Sequence, residues 1–342
     1  MRAVSIIMVL LTHLGTYDCL LDSVWGTRLW LTVSGEMGVY VFFVISGFLI
    51  TTLLLREKQE KGTVSYKRFI ARRFLRLLPP LLIFYAVIAS LMMSGMMSSG
   101  YLSLIVSSVY LYNFIPNKFY VTELGHTWSL AVEEQFYFLW PLAIRFFNRS
   151  KWIIISIVTI AASVICIGSF PFIRFQFNDE LVYLIDKFKT QRWFLPAIAP
   201  VMIGSLSAVL NLNYQQIFSN QFKHKRMLLW SACLIFSAFY VPLFLRNYLL
   251  LIQSAGIAIL LLFIFHNSNS LLTAVLEYGP ISFIGKISYG IYVWQGLFLR
   301  TGPGGDLWIQ QFPQNIFLTF VAAVFSYLLI ERTMQTYRIK LH

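Results

Sequence analysis

His126-Thr-Trp-Ser-Leu-Ala-Val-Glu-Glu-Gln-Phe-Tyr-Phe-Leu-Trp-Pro141 opens a long apolar run, yet it carries a histidine, a serine and two adjacent carboxylates. On a helix, His126, Ser129, Glu133, Tyr137 and Trp140 recur at i, i+3, i+7, i+11 and i+14 and so form one stripe. If that helix crosses a bilayer, a carboxylate near its middle costs roughly 2.5–3.5 kcal/mol on insertion scales. A glutamate in that place needs a partner or a chemical task.

The rest of the chain says that the bilayer is the right solvent. Of its 342 residues 58% are hydrophobic, 17% aromatic and only 12% charged, with a mean hydropathy of +0.70. A soluble domain carries about twice that share of charge. The apolar residues fall into runs of about 18 to 22, the length that crosses the hydrocarbon core. The class is an all-α polytopic membrane bundle of about ten transmembrane helices, a single domain over 1–342 with no soluble domain.

The net charge of +13 does not argue for nucleic acid. The basic residues crowd into short segments between apolar runs, as the positive-inside rule requires. That rule places both termini in the cytoplasm, and the expected location is the inner (plasma) membrane. Cys19, Cys166 and Cys233 show neither a pairing pattern nor metal-ligand spacing, and no metal is expected. The first apolar run is too long for a cleavable signal and lacks an Ala-x-Ala site.

Taken in order, the expected helices are Arg2–Leu21, Glu36–Leu55, Pro79 to just before Met97, and His126–Phe147. Trp152–Phe170, Phe194–Leu210, Met227–Leu245, Asn247–Phe265, Phe283–Arg300 and Asn315–Glu331 follow. Arg56–Leu78 reads as a basic cytoplasmic loop. Tyr101–Phe114 is apolar but short, a re-entrant or interfacial segment. Arg174–Arg192 fits poorly, because an outer loop should not hold Lys187, Lys189 and Arg192. No internal repeat is evident, which speaks against an inverted-repeat transporter.

Arg2 and His13 are separated by about 16 Å along a helix and about 20° around it, so both can face one channel. Here the chain resembles the membrane acyltransferase-3 family. The likeness rests on that Arg–His pair, on Gly38-Val-Tyr-Val-Phe-Phe-Val-Ile-Ser-Gly-Phe48, on Arg73-Phe-Leu-Arg76 before proline, and on Trp128-Ser-Leu-x-x-Glu133. Ile287-Ser-Tyr-Gly-Ile-Tyr-Val-Trp294 and Ser326-Tyr-Leu-Leu-Ile-Glu331 complete it in the family's order. Two positions depart from the pattern: Tyr40 stands where the family often has Asp, and Gln295 where many members have His. The first motif begins at Arg2, so the true start is expected upstream of Met1.

The resemblance implies an integral membrane O-acetyltransferase, moving an acyl group from acetyl-CoA (or another acyl-CoA) to a carbohydrate hydroxyl. O-antigen, exopolysaccharide and a lipid-linked glycan are the acceptors it suggests. His13 becomes the expected general base, against a plainer reading as a polar residue satisfied inside the bundle. Glu133 either takes part directly, orienting His13 or the substrate, or pairs with a neighbouring arginine; Glu134 is structural. Arg2, Arg72, Arg73 and Arg76 suit the phosphates of CoA, or set topology alone. His126, Trp128, Ser129 and Tyr137 are the expected acceptor contacts, with an interfacial histidine the rival reading at His126. Ser46, Gly47, Ser288 and Gly290 are read as permitting close helix packing. Trp25, Trp30, Tyr112 and Trp193 are read as interfacial belts rather than sugar platforms. The function from another class is a proton-coupled transporter of a lipid-linked glycan or acyl donor.

Overall fold

The computed structural model describes residues 1–16, 21, 23–176, 189–242, 245–300 and 302–334. Cys19 and most of the problematic Arg174–Arg192 segment lie outside them. Every described element is helical. Among the described residues, five segments are long and apolar enough to cross a membrane: Val24–Lys61, Tyr66–Met93, Arg149–Ser169, Tyr248–His266 and Gln314–Met334. Arg2–His13, Ala199–Asn213 and Arg226–Phe239 are apolar but shorter. Two further helices, Thr127–Phe146 and Gly279–Phe298, have 20 residues each but fall outside that set of five. They carry His126–Trp140 and Ile287–Trp294, the motifs richest in polar groups.

The first helix, α1 (Arg2–His13), is shorter than the expected Arg2–Leu21. Gly15 adopts φ +69°, the Gly15 N–H donates to Thr12 O and the Thr16 N–H to Leu11 O. This is the left-handed glycine stop that closes a helix, and it makes His13 the last helical residue. A helix that hydropathy did not signal, α2 (Val24–Val33), leads through Ser34 into α3 (Gly35–Lys61).

α3 runs six residues beyond its expected end at Leu55, and α4 (Tyr66–Met93) begins thirteen residues before Pro79. The expected basic loop Arg56–Leu78 is therefore mostly helix. Charged residues propagate a helix as well as apolar ones do, and tertiary contacts hold this one. The Lys58 ammonium donates to Ile144 O at 2.6 Å, Phe147 O at 3.0 Å and Arg145 O at 3.2 Å. Those are the free carbonyls at the end of α6 (Thr127–Phe146), which a cation caps. Pro79 and Pro80 sit inside α4 rather than at its start, and the Tyr289 hydroxyl donates to Leu77 O at 2.6 Å beside them.

α5 (Tyr101–Ser108) has eight residues and is followed by single 3₁₀ turns, so the Tyr101–Phe114 segment does not span. Its Ser107 links Tyr85 of α4 (2.7 Å) to Thr127 of α6 (2.8 Å). Beyond α7 (Arg149–Gln176), the expected Phe194–Leu210 helix is broken at Ile198, and α8 is Ala199–Asn213. α9 (Arg226–Ile235), α10 (Arg246–His266), α11 (Gly279–Phe298) and α12 (Gln314–Ser326) complete the bundle, α12 passing into a π-helical turn at Tyr327–Glu331.

α3 is the hub. The apolar window of its span is 72% buried, against 17% for α7. Gly47 and Gly204 make the α3–α8 crossing: a Cβ on Gly47 would collide with Val201 O, and one on Gly204 with Val44 O. Glycine at both positions lets the backbones touch. On the other side of α3, the Ser5 hydroxyl of α1 donates to Gly38 O at 2.6 Å. On α7, Ile154, Ile157, Val158 and Ile165 are all more than half exposed, an apolar surface suited to lipid.

Candidate functional site

The site lies between α1, α3, α4, α6 and α11, at two levels. At the first, a cavity of about 70 Å³ is lined by Arg2, Ser46, Arg73, Arg76, Glu133 and Tyr292 among others. Glu133 accepts from the Ser46 hydroxyl at 2.9 Å and the Tyr137 hydroxyl at 3.1 Å. Arg2 and Arg73 both act on it electrostatically. The Arg73 guanidinium lies 3.6 Å from the centre of the Tyr137 ring, with Nε 3.9 Å from Glu134 Oε1. Two cations and two carboxylates thus share a half-dry space, where each charge needs the others.

Arg76 lines this cavity and a second one with Met1, Arg2, Gly285 and Lys286. Arg72 points elsewhere, 3.7 Å from Glu57. The four arginines singled out by sequence therefore divide: Arg2, Arg73 and Arg76 line the cavity, and Arg72 pins α4 to α3.

The second level is a pair of histidines. His13 and His126 are near enough to act on each other electrostatically. Among the described residues, His13 Nδ1 is buried without a hydrogen-bond partner, and the His126 ring nitrogens have none of good geometry, the Glu123 backbone being their polar neighbour. The His126 ring is wedged against Phe84 (5.5 Å) and Tyr292 (5.5 Å). Gly296 faces it, and any side chain there would occupy the ring's place.

Gln295 belongs to this level too. Gly285 lies against the Ala3 backbone, and Gly296 meets His126 beside His13. α1 and α11 are therefore parallel. Ten residues, about 15 Å of helix, then bring His13 and Gln295 to the same depth. Gln295 is fully buried and neither its amide oxygen nor its nitrogen has a partner. Buried polar atoms are paired in nearly all cases, so this concentration of orphans marks a place shaped for something else.

Other motif residues brace the two levels. The hydroxyls of Ser129 and Tyr292 are 2.5 Å apart, and Tyr292 also donates to His126 O at 3.1 Å. Trp140 donates to Thr51 at 2.8 Å, a bolt between α6 and α3. Trp128 meets Phe43 edge-on at 6.1 Å. Gly290 lies against Ala323, and Gly47 against Val201, as their small size suggested. Ser46 does more than pack, since it holds Glu133.

His13 and Glu133 share no hydrogen bond among the described residues. The helix stripe was legible in sequence, but not that its two ends meet different ends of α1. Sequence gave Ser46 only a packing role, gave Tyr292 none and marked Gln295 only as a departure from the family pattern; the contacts of Ser46 and Tyr292 with α6 and the burial of Gln295 reveal their places in the site. No His/Cys/Asp/Glu cluster able to hold a metal occurs among the described residues.

The motifs, the helical fold and the two-level site agree with one class of protein. The acyltransferase-3 model, described as an acyltransferase domain, matches residues 1–331, and the chain belongs to that family. Among curated proteins it is similar to the peptidoglycan O-acetyltransferase OatA of Listeria monocytogenes, at 27% identity over 322 residues, covering 86% of this chain and 47% of that protein. It is also similar to the O-acetyltransferase OatA of Staphylococcus aureus, at 27% over 348 residues, covering 97% of this chain and 55% of that protein. This chain spans about half the length of these relatives. No solved structure matches it.

Proposed function

We propose that this membrane acyltransferase domain transfers an acetyl group from acetyl-CoA to a hydroxyl of an envelope or exported carbohydrate. One observation carries the reading: a cavity lined by three arginines lies at one end of α1, and a histidine pair with unused ring nitrogens lies at the other, about 16 Å away. Phosphates suit the first level and a reacting hydroxyl suits the second.

In this scheme Arg2, Arg73 and Arg76 hold the CoA phosphates through charge-assisted hydrogen bonds, with Arg72 outside the cavity and Glu57 beside it. Glu133, fixed by Ser46 and Tyr137, keeps Arg2 and Arg73 in place and so orients the donor rather than the imidazole. His13 removes the proton from the acceptor hydroxyl as its oxygen attacks the thioester carbon. His126 and Gln295, with unused polar atoms at the same depth, hydrogen-bond the reacting groups. Collapse of the tetrahedral adduct breaks the C–S bond, and the His13 imidazolium returns its proton to the departing thiolate. Trp128 and Ser129 lie on the His126 side of α6, toward the acceptor; Tyr137, expected there too, belongs instead to the arginine level, where it holds Glu133 and carries Arg73 on its ring. The domain sits in the inner membrane with its arginine end cytoplasmic.

The test is label transfer by purified, reconstituted protein given labelled acetyl-CoA and a host glycan extract, with wild type beside His13→Ala. Label in glycan with wild type alone supports the reaction and its centre. Folded wild type that transfers no label, yet moves glycan across vesicles lacking any CoA ester, would replace the enzyme with a transporter.

A further inference from the structure

At the end of the bundle away from Arg2, two cations crowd one aromatic ring. Lys189 Nζ lies 3.8 Å from the centre of the Tyr120 ring. The Arg192 guanidinium lies 5.5 Å from the same ring and 5.6 Å from that of Trp128. The two residues belong to one turn: Lys189 adopts φ +44°, and the Arg192 N–H donates to Lys189 O at 2.9 Å. Left-handed backbone is unfavourable for a lysine, so the surrounding structure enforces this placement.

The rings are themselves held. Tyr112 brackets Tyr120 at 5.9 Å and exchanges hydrogen bonds of 2.9 Å with the Val121 backbone, while Phe43 supports Trp128. An aromatic face attracts a cation without neutralising it. Arg72 and Arg73 have carboxylates within 4 Å; among the described residues, Lys189 and Arg192 have none that near, and Glu36 of α3 acts on Arg192 only from beyond that distance. Partial burial and the neighbouring Arg192 together push the Lys189 ammonium down to about 8, the direction in which burial and a like charge both act on a lysine. The cluster adjoins the reacting level, because Trp128 follows His126 by two residues and Arg192 acts electrostatically on Tyr292.

We propose that Lys189 and Arg192, mounted on Tyr120 and Trp128, form an anion-binding subsite that selects an acceptor glycan carrying a carboxylate or a phosphate. The role as acceptor subsite rests on the function proposed above; the anion binding does not. The bound anion completes the charge balance that the aromatic rings leave open, and it anchors the acceptor next to His126 and His13.

The experiment is equilibrium binding to the purified protein in detergent. The probes are a galacturonate trisaccharide, N-acetylglucosamine 1-phosphate and their neutral counterparts, galactotriose and N-acetylglucosamine. At pH 7 one or both charged probes should bind about ten-fold tighter than the neutral ones, and the stronger one identifies the anion. The preference should vanish in the Lys189→Gln/Arg192→Gln double variant. In wild type it should decline as pH rises from 7 to 9.5, because Lys189 loses its proton through about 8 while Arg192 stays charged. Lys189→Arg should keep the preference at pH 9.5. Equal binding of charged and neutral probes by wild type, or a pH-independent preference that survives in the double variant, overturns the proposal. Acetyl transfer by wild type is read separately: anion preference without any transfer leaves the subsite standing and removes the enzymatic reading.

Discussion

His13 is where the chemistry proposed for this chain concentrates, and its neighbours explain why. It ends α1, its Nδ1 has no partner, and His126 and Gln295 stand at the same depth with unused polar atoms. A general base contributes about 10²–10⁴-fold. His13→Ala is therefore expected to lower kcat for acetyl transfer by at least about 100-fold with little change in the KM for acetyl-CoA. Steady-state kinetics in liposomes decide this, and an equal fall in kcat/KM through KM alone would assign His13 to binding. Trp140 differs, since its indole donates to Thr51 in a buried helix contact. Trp140→Phe leaves that hydroxyl without its donor and should destabilise the fold by about 1–3 kcal/mol, read from thermal unfolding in detergent.

At the scale of the element, α3 and α8 are joined through Gly47 and Gly204, each directed at the other helix's backbone. A methyl group at either position has no space, and overpacking of this kind costs about 1–3 kcal/mol. Gly47→Ala should lower the melting temperature and reduce activity in proportion to the folded fraction. Unaltered stability would show that the crossing can open. α4 gives the complementary case. It carries Arg72, Arg73 and Arg76 on one continuous helix rather than in a loop, so their directions are set by helical geometry. Arg72 faces Glu57 and the other two face the cavity. Arg76→Ala is expected to raise the KM for acetyl-CoA by about ten-fold while kcat changes little, the loss of one charge-assisted contact. Arg72→Ala should leave that KM nearly unchanged. Initial rates against acetyl-CoA concentration separate the two variants.

Over the whole molecule, the bundle arranges opposite requirements at opposite ends. Arg2, Arg73 and Arg76 meet at one end with Glu133 and Glu134 beside them. Lys189 and Arg192 stand at the other end with aromatic rings. α1 connects the two levels and α11 runs parallel to it. Such a layout lets a donor and an acceptor approach one buried point from different sides, with the histidines between. Salt should then weaken donor binding and anionic-acceptor binding independently. Raising ionic strength from about 0.05 to 0.5 M should increase both KM values in wild type, but only the acetyl-CoA KM with a neutral acceptor. Initial-rate kinetics with paired acceptors test that separation.

Helix content, the membrane class and the family motifs are written in local composition and spacing, and for that reason they could be read without a structure. An apolar run must satisfy its backbone internally, and a stripe at i, i+3 and i+7 must share a face. The expectation of about ten spans goes beyond the five long apolar helices described, because hydropathy does not register breaks such as those at Gly15 and Ile198. It also missed α2 and read the helical residues of Arg56–Leu78 as a loop, since charge resembles exposure until Lys58 is seen capping α6. Partners across helices were decided only by the tertiary structure. Glu133 belongs with Ser46 and Arg73, His13 with His126, and Arg72 with Glu57, because helix crossings, set by contacts such as Gly47 on Val201, determine which faces meet. Spacing along a chain gives each face its residues; packing between chain segments chooses what each face confronts.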